Sequence, residues 1–259
     1  MATLARRASG DVGRYPDSPM RIAVLSDIHG NLPALEAVLD ALQPYDAIWQ
    51  LGDIVGYGPQ PDEVVARLRA DGATGVRGNH DSAAIGALDT DAFNDDARAA
   101  VEWTADRISA ETRDWLAALP LHAVNEPFTL VHGSPRDPTW EYVYTAGVAR
   151  ANLPLFDTTH CLVGHTHVPL VFRQRSGKVE GVNVKGDMTY ALGGERLMIN
   201  PGSVGQPRDA DPRASALLID TDAGTLDWHR VAYPIERVQE LMAQAGLPGR
   251  LAARLQFGL

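Results

Sequence analysis

The sequence predicts an α/β fold in which two packed sheets carry helices on their outer faces. Three observations predict it. The front half alternates strand and helix signals in repeats of roughly βαβ size. The back half is mostly short, apolar, strand-like runs. Metal-ligand residue types recur where those runs end, and in open α/β sheets ligands gather beyond the carboxyl ends of the strands.

Taken in order, Ile22-Ala23-Val24-Leu25 is a short apolar run of the kind expected for a buried parallel strand. A helix follows, with Pro33 in its first turn and Leu35, Val38, Leu39 and Leu42 on one face. Ala47 to Leu51 is the next strand, Pro61 opens a second helix with Val64, Val65 and Leu68 inward, and a third strand runs near Thr74 to Val76. One helical region is expected over about Asp95 to Leu119. Strands then follow at Phe128 to Val131, Cys161 to Val163, Val168 to Phe172 and Val179 to Val184, the last two joined as a hairpin at Ser176-Gly177. Arg196 to Ile199, Ala216 to Ile219 and Thr225 to Val231 are further strands, and a helix spans about Ile235 to Ala245. With no internal repeat or linker, residues 20–259 read as one domain behind a mobile tail, 1–19, rich in Gly, Pro, Ser, Asp and Arg. Met20 opens the first strand-like run, so translation starting there instead of at Met1 is an expectation that the intact mass of native protein tests.

Of the 259 residues, 45% are hydrophobic, enough for a sizeable core, and the formal charge of -10 argues against non-specific binding to nucleic acid or anionic membrane. Bound cations still permit an anionic substrate, because they reverse the sign of a site locally. The single cysteine, Cys161, excludes an intramolecular disulfide and fits a reducing cytosol. No stretch approaches the roughly 18–20 apolar residues of a membrane span, and no apolar run follows Arg6 and Arg7 to make a signal peptide. A cytoplasmic protein with no membrane partner and no stable nucleic-acid complex is the expectation.

Five segments carry candidate chemistry: Asp27-Ile28-His29, Gly52-Asp53, Gly78-Asn79-His80-Asp81, His132-Gly133 and Gly164-His165-Thr166-His167. Residues two apart in extended backbone point to the same side, so Asp27 with His29, and His165 with His167, each offer two donors to one centre. Neighbouring glycines let backbone approach closely. Carboxylate, imidazole and amide donors without thiolate suit Mn²⁺, Fe²⁺ or Zn²⁺, with Ni²⁺ a further fit. Seven donors exceed one tetrahedral ion and suit two ions about 3.5–4 Å apart. Two such ions, two carboxylates and a hydroxide leave about one net positive charge, which favours phosphate, and metal binding pulls the pKa of water toward ~7.

In this order the motifs resemble the calcineurin-like metallophosphoesterase superfamily over residues 20–170. The remainder, including Asn200-Pro201-Gly202-Ser203-Val204-Gly205, is similar to its bacterial YfcE-like phosphodiesterase branch. The resemblance implies a four-layer α/β/β/α sandwich of two mixed sheets. It implies that Asp27, His29 and His167 hold one divalent metal, that Asn79, His132 and His165 hold the other, that Asp53 bridges them, and that a bridging hydroxide attacks phosphorus. His80 is then the general acid for the leaving oxygen or a phosphate clamp, and Asp81 either orients it or caps a helix. Manganese is the first expectation for both ions.

One departure carries weight. The superfamily's protein phosphatases place Asp and Arg shortly after the bridging Asp, where Gly56 and Tyr57 stand here. This favours a diester, small or nucleotide-derived, over a phosphoprotein. Phosphomonoesterase, dinucleoside-polyphosphate hydrolase and protein phosphatase are the alternatives, and a non-catalytic scaffold is the rival from another class. Arg77 and Arg136 are candidates to replace the lost charge, against the ordinary reading of surface or ion-paired arginines. Tyr57 is a candidate site wall. Asn31 is a candidate substrate contact, with a helix cap the favoured reading. The helical segments near 95–119 and 235–255 are open to local packing, gating of the cleft or a homodimer contact.

Overall fold

The computed structural model describes residues 19–259. Residues 1–18, on which the expected tail and the start-codon reading fall, lie outside the described residues. The chain opens β1 (Arg21–Leu25), α1 (Leu32–Ala41), β2 (Ala47–Gln50), α2 (Pro61–Ala70), β3 (Thr74–Gly75), with the three strands parallel. Three helices follow, α3 (Asn79–Ala84), α4 (Asp95–Ala105) and α5 (Ala110–Ala118). Next come β4 (His122–Asn125), β5 (Phe128–Val131), α6 (Ala146–Asn152), β6 (His160–Leu162), β7 (Leu170–Arg175), β8 (Lys178–Asn183), β9 (Met188–Ala191) and β10 (Arg196–Asn200). The chain ends with β11 (Ala214–Asp220), β12 (Thr225–Val231), α7 (Ile235–Gln244) and α8 (Gly249–Ala253).

The strands form two mixed six-stranded sheets, ordered β3-β2-β1-β11-β12-β9 and β4-β5-β6-β10-β7-β8. Alternation along each strand divides the core. In β1, Ile22 and Val24 face the second sheet, packing with Trp49, Phe128, Leu162, Ile199 and Trp228, while Ala23 and Leu25 face α1 and α2. In β6, Leu162 joins the space between the sheets, while Cys161 and the following Val163 pack beneath α6. Both faces of these strands are covered, so they read as continuous apolar runs rather than alternating ones. The layers are therefore helix, sheet, sheet, helix, as expected.

Two details differ from the sequence reading, and the expected hairpin is present. The expected single helical region near 95–119 is two helices. The break falls where the Ser109 hydroxyl accepts from the Thr112 amide at 3.1 Å and caps α5. Strands β4 and β9 have no counterpart in the apolar pattern. They are edge strands whose residues are half-buried or exposed, so little hydrophobic signal marks them. The β7–β8 hairpin turns at Ser176 and Gly177, both at positive φ (49° and 77°), as a two-residue turn between twisted strands demands.

Among the described residues, no helix is long and apolar enough to cross a membrane. Trp228 is one of the largest fully buried side chains and lies between the two sheets, its indole N–H donating to the Asn200 carbonyl at 3.0 Å. Trp228→Ala removes that ring and leaves a void. It is expected to cost about 3–5 kcal/mol of unfolding free energy, measured by urea denaturation; a loss below about 1 kcal/mol contradicts this packing.

Candidate metal centre and active site

Beyond the carboxyl ends of β1, β2, β3, β5 and β6, the five motifs converge. Backbone geometry aims them. Asp27, His29, Asp53, His165 and His167 all adopt positive φ, between 50° and 63°. The expectation that the paired ligands sit on extended backbone is therefore corrected. The segments after β1, β2 and β6 leave their strands through left-handed kinks, each of which costs a non-glycine residue about 1–2 kcal/mol. The loops that carry the kinks are pinned to one another: the amides of Asp27, His29 and Gly30 donate to the carbonyls of Gly52, Asp53 and Ile54 at 3.1, 2.9 and 2.8 Å. Close approach requires glycine at two positions. A Cβ on Gly78 would lie 2.1 Å from the Asp53 carboxylate, and one on Gly205 would lie 1.9 Å from the Ile28 carbonyl oxygen.

Two buried donor groups result. Asp27, His29, Asp53 and His167 bring ligand atoms within 4.8 Å of one another, and so do Asp53, His132 and His165. Asp53 belongs to both. Asn79 joins the second group, its amide oxygen 3.0 Å from His132 Nε2. His165 and His167 thus face different groups. The same-side pairing expected from their spacing does not hold, because both residues lie on left-handed backbone.

The tautomers decide what these groups hold. His29 Nδ1 lies 3.1 Å from the Val55 carbonyl, His167 Nδ1 2.6 Å from that of Gln206, and His132 Nδ1 2.8 Å from that of Leu51. A carbonyl accepts only, so each Nδ1 carries the proton and, in the neutral ring, each Nε2 presents a lone pair. The Nε2 atoms of His29 and His167 nonetheless face each other at 3.2 Å, and His132 Nε2 faces His165 Nδ1 at 3.1 Å. Each carboxylate uses one oxygen for the protein. Asp27 Oδ2 accepts from Ser26 Oγ and the His165 amide, and Asp53 Oδ1 accepts from the His80 amide. Among the described residues, Asp27 Oδ1, Asp53 Oδ2 and His165 Nε2 find no hydrogen-bond partner although they are buried. Facing lone pairs beside unpartnered carboxylate oxygens repel unless a cation lies among them. These residues suit a divalent metal centre.

Protonation agrees. Burial pushes the Asp27 carboxyl up to about 7. Burial also opposes ionisation of Asp53, but His132, His80 and His29 outweigh it and hold that carboxyl well below the usual range. Burial holds His29, His165 and His167 well below the ordinary histidine value, in the neutral form that metals bind. His132 is the exception: burial lowers it, but Asp53 and then Asp27 lift it to about 9. Its proton supplies the positive charge that Asp53 demands, and a divalent ion would displace it.

A cleft of about 80 Å³ opens over these groups, lined by Asp53, Asn79, His80, His165, His167 and Tyr57 among others. Tyr57 forms part of its wall, its ring centroid 4.4 Å from that of His80. The other three expected substrate contacts are corrected. Arg77 turns away from the cleft, donating to Ser82 Oγ at 3.0 Å and to the Ala117 carbonyl at 3.2 Å. Arg136 is exposed and ion-paired with Glu141. Asn31 caps α1, accepting from the Ala34 amide at 3.2 Å and donating to the Gly205 carbonyl at 3.0 Å. Asp81 does not orient His80, whose Nδ1 has no hydrogen-bond partner among the described residues. Its carboxylate instead accepts from the amides of Ile54, Val55 and Gly78 at 2.8–3.0 Å, tying two ligand loops together.

Sequence reasoning missed Arg208, which lines the cleft with its guanidinium 5.7 Å from the centroid of the Tyr57 ring. Its Nε and Nη2 donate to the neutral side-chain oxygen of Gln206 at 3.2 and 2.8 Å. Among the described residues no carboxylate pairs with it, so its charge stays available to an anion. The available signal was its place two residues after Gln206, just beyond the Asn200 to Gly205 run that carries the YfcE-like resemblance. Phe93, Trp140 and Tyr142 also line the cleft, and no motif marked them.

The comparisons with known proteins agree with this geometry. The chain matches the calcineurin-like phosphoesterase superfamily domain over residues 20–224. It is 35% identical over 247 residues to an uncharacterized protein of Methanocaldococcus jannaschii, covering 92% of this chain and 98% of that one. It is 30% identical over 223 residues to the phosphodiesterase YfcE of Escherichia coli, covering 78% and 89%. A crystal structure of a metallophosphoesterase from Sphaerobacter thermophilus superposes with a TM-score of 0.86 at 46% identity, covering 93% of this chain and 100% of that one. The chain belongs to the calcineurin-like metallophosphoesterases.

Proposed function

We propose that this chain is a phosphodiesterase that hydrolyses a small phosphate ester at a centre of two divalent cations, manganese first among the candidates. One observation carries the reading: two buried donor groups share Asp53 and turn lone pairs and unpartnered carboxylate oxygens toward each other. Asp27, His29, His167 and Asp53 would hold one cation, and Asn79, His132, His165 and Asp53 the other. When bound, the cations supply Lewis acidity, lowering the pKa of water toward ~7 and polarising phosphoryl oxygens.

The remaining steps fall to the protein. His80 is buried, and burial pushes it down to about 4 despite the neighbouring Asp53 carboxylate. Nearby cations lower it further. At neutral pH it is therefore an uncharged imidazole with one N–H, suited to hydrogen-bond a phosphoryl or leaving oxygen rather than to deliver a proton from an imidazolium. Tyr57 and Phe93, with ring centroids 4.4 and 4.9 Å from His80, keep water from it. Arg208 supplies a full positive charge to a phosphoryl oxygen. A single such guanidinium suits the one negative charge of a diester better than the two of a monoester. The likeness to YfcE points the same way. The substrate is a small molecule, turned over in the cytoplasm without a nucleic-acid or membrane partner.

Bis-p-nitrophenyl phosphate with added Mn²⁺ is expected to be cleaved faster than p-nitrophenyl phosphate, and chelation to stop both; robust monoester cleavage without diester turnover overturns the preference. His80→Ala is expected to lower kcat roughly a hundredfold or more, the scale of one lost transition-state hydrogen-bond donor, while metal content, measured by elemental analysis, is largely kept. Unchanged turnover removes His80 from the mechanism. Arg208→Gln is expected to lower kcat/KM roughly tenfold or more, the scale of one charge-assisted hydrogen bond, and Arg208→Lys not to restore it fully. Wild-type kinetics in Arg208→Gln would show that the guanidinium does not meet the phosphate.

A further inference from the structure

Two aromatic rings stand in water at the mouth of the cleft. Tyr142 is 41% exposed and Tyr144 47%, while Val143 between them is buried at 1% and anchors the segment beneath α6. Scattered exposed apolar residues need no explanation, but these two are not scattered. Tyr142 stacks on the ring of His165, with centroids 4.0 Å apart and planes 13° apart. Tyr144 continues the stack, 5.7 Å farther and 17° from parallel. The three rings form a ladder that starts at a donor of the metal centre and ends in solvent. It is also rigid: the Tyr144 hydroxyl donates to the Thr166 carbonyl at 2.9 Å, within the loop that carries His165. Trp140, edge-on to Phe93 at 5.2 Å, closes the inner side of the same cleft.

Partly exposed aromatic rings held in place present apolar area without much loss of side-chain freedom on binding, which is what an aromatic seat requires. The inner cleft, with Arg208 and the donor groups, takes the phosphate. A substituent attached to that phosphate must leave along the walls. In a nucleoside ester the sugar separates phosphate from base, so the base falls outside the inner cleft, where the ladder reaches solvent. We propose that Tyr142 and Tyr144, with Trp140, seat a planar aromatic ring of the substrate, so that the preferred esters are those of nucleosides rather than of aliphatic alcohols. This specificity rests on the reading of the cleft as a phosphate-ester site.

The test is binding to the metal-loaded protein, followed by calorimetry with two ligands that share a sugar phosphate: adenosine 5′-monophosphate and ribose 5-phosphate. Stacking on an aromatic side chain contributes about 1–3 kcal/mol per base, so the nucleotide is expected to bind at least about fivefold tighter. Tyr142→Phe is expected to keep this preference, and the double variant Tyr142→Leu, Tyr144→Ala to lose most of it. Leucine keeps an apolar contact against His165, and circular dichroism checks that the variant is folded. Equal affinity for the two ligands in the wild type, no binding of either, or a preference that survives the double variant overturns the aromatic seat. The readout is independent of turnover. A protein that prefers the nucleotide but cleaves no diester therefore sinks the phosphodiesterase reading and leaves the seat standing.

Discussion

Two imidazole nitrogens face each other at 3.2 Å, and neither has a proton to share, because each ring carries its proton on Nδ1 and donates it in a hydrogen bond to a backbone carbonyl. Most of the remaining architecture exists to hold that contact beside Asp53, whose charge the protonated His132 balances. The cost is electrostatic. Buried lone pairs and carboxylate oxygens have lost their hydration, and nothing among the described residues returns it. Such an arrangement persists only where the surrounding structure over-determines it and where a cation, once bound, converts repulsion into ligation. Folding and metal affinity are thus coupled through the same atoms.

The over-determination can be traced. Each ligand loop is fixed by hydrogen bonds to another ligand loop rather than only to its own strand. Asp81 gathers the amides of Ile54, Val55 and Gly78 on one carboxylate. Ser203 Oγ donates to the Asp27 carbonyl at 2.8 Å and accepts from the Gln206 amide at 2.8 Å. Gln206 then does two things: its backbone carbonyl sets the tautomer of His167, and its side chain holds Arg208. Left-handed backbone at five ligand positions is stable inside this network because relaxing one kink breaks hydrogen bonds in two loops. A residue such as Asp81 therefore matters to the site without pointing at it.

What the sequence disclosed follows the same division. Buried strands such as Ile22 to Leu25 and Cys161 to Val163 are covered on both faces, so their apolar runs were plain, and the two-sheet core followed from them. The motif donors were legible because their residue types are rare together and sit at strand ends. Edge strands β4 and β9 were not, since half-exposed residues leave no pattern. Side-chain direction was not legible either. Arg77 lies one residue before the Gly78-Asn79 motif, yet bonds to Ser82 and to a carbonyl at the end of α5, a contact set by tertiary packing. Arg208 lies far from every metal motif in sequence and reaches the cleft only because β10 returns beside β6.

Arg208 also bears on the departure at Gly56 and Tyr57. A protein phosphatase of this superfamily would carry an acid and an arginine there. Here a glycine leaves room for His80: a Cβ on Gly56 would lie 2.5 Å from His80 Nδ1. The Tyr57 ring then packs on His80 from one side and under the Arg208 guanidinium from the other. The positive charge has moved from the loop after β2 to the loop after β10, and an aromatic ring holds His80 where a carboxylate would. A carboxylate partner raises the basicity of an imidazole; a ring does not. His80 is accordingly left neutral, with burial first among the causes. The cleft is then poised to hydrogen-bond a phosphoryl or leaving oxygen more than to protonate it.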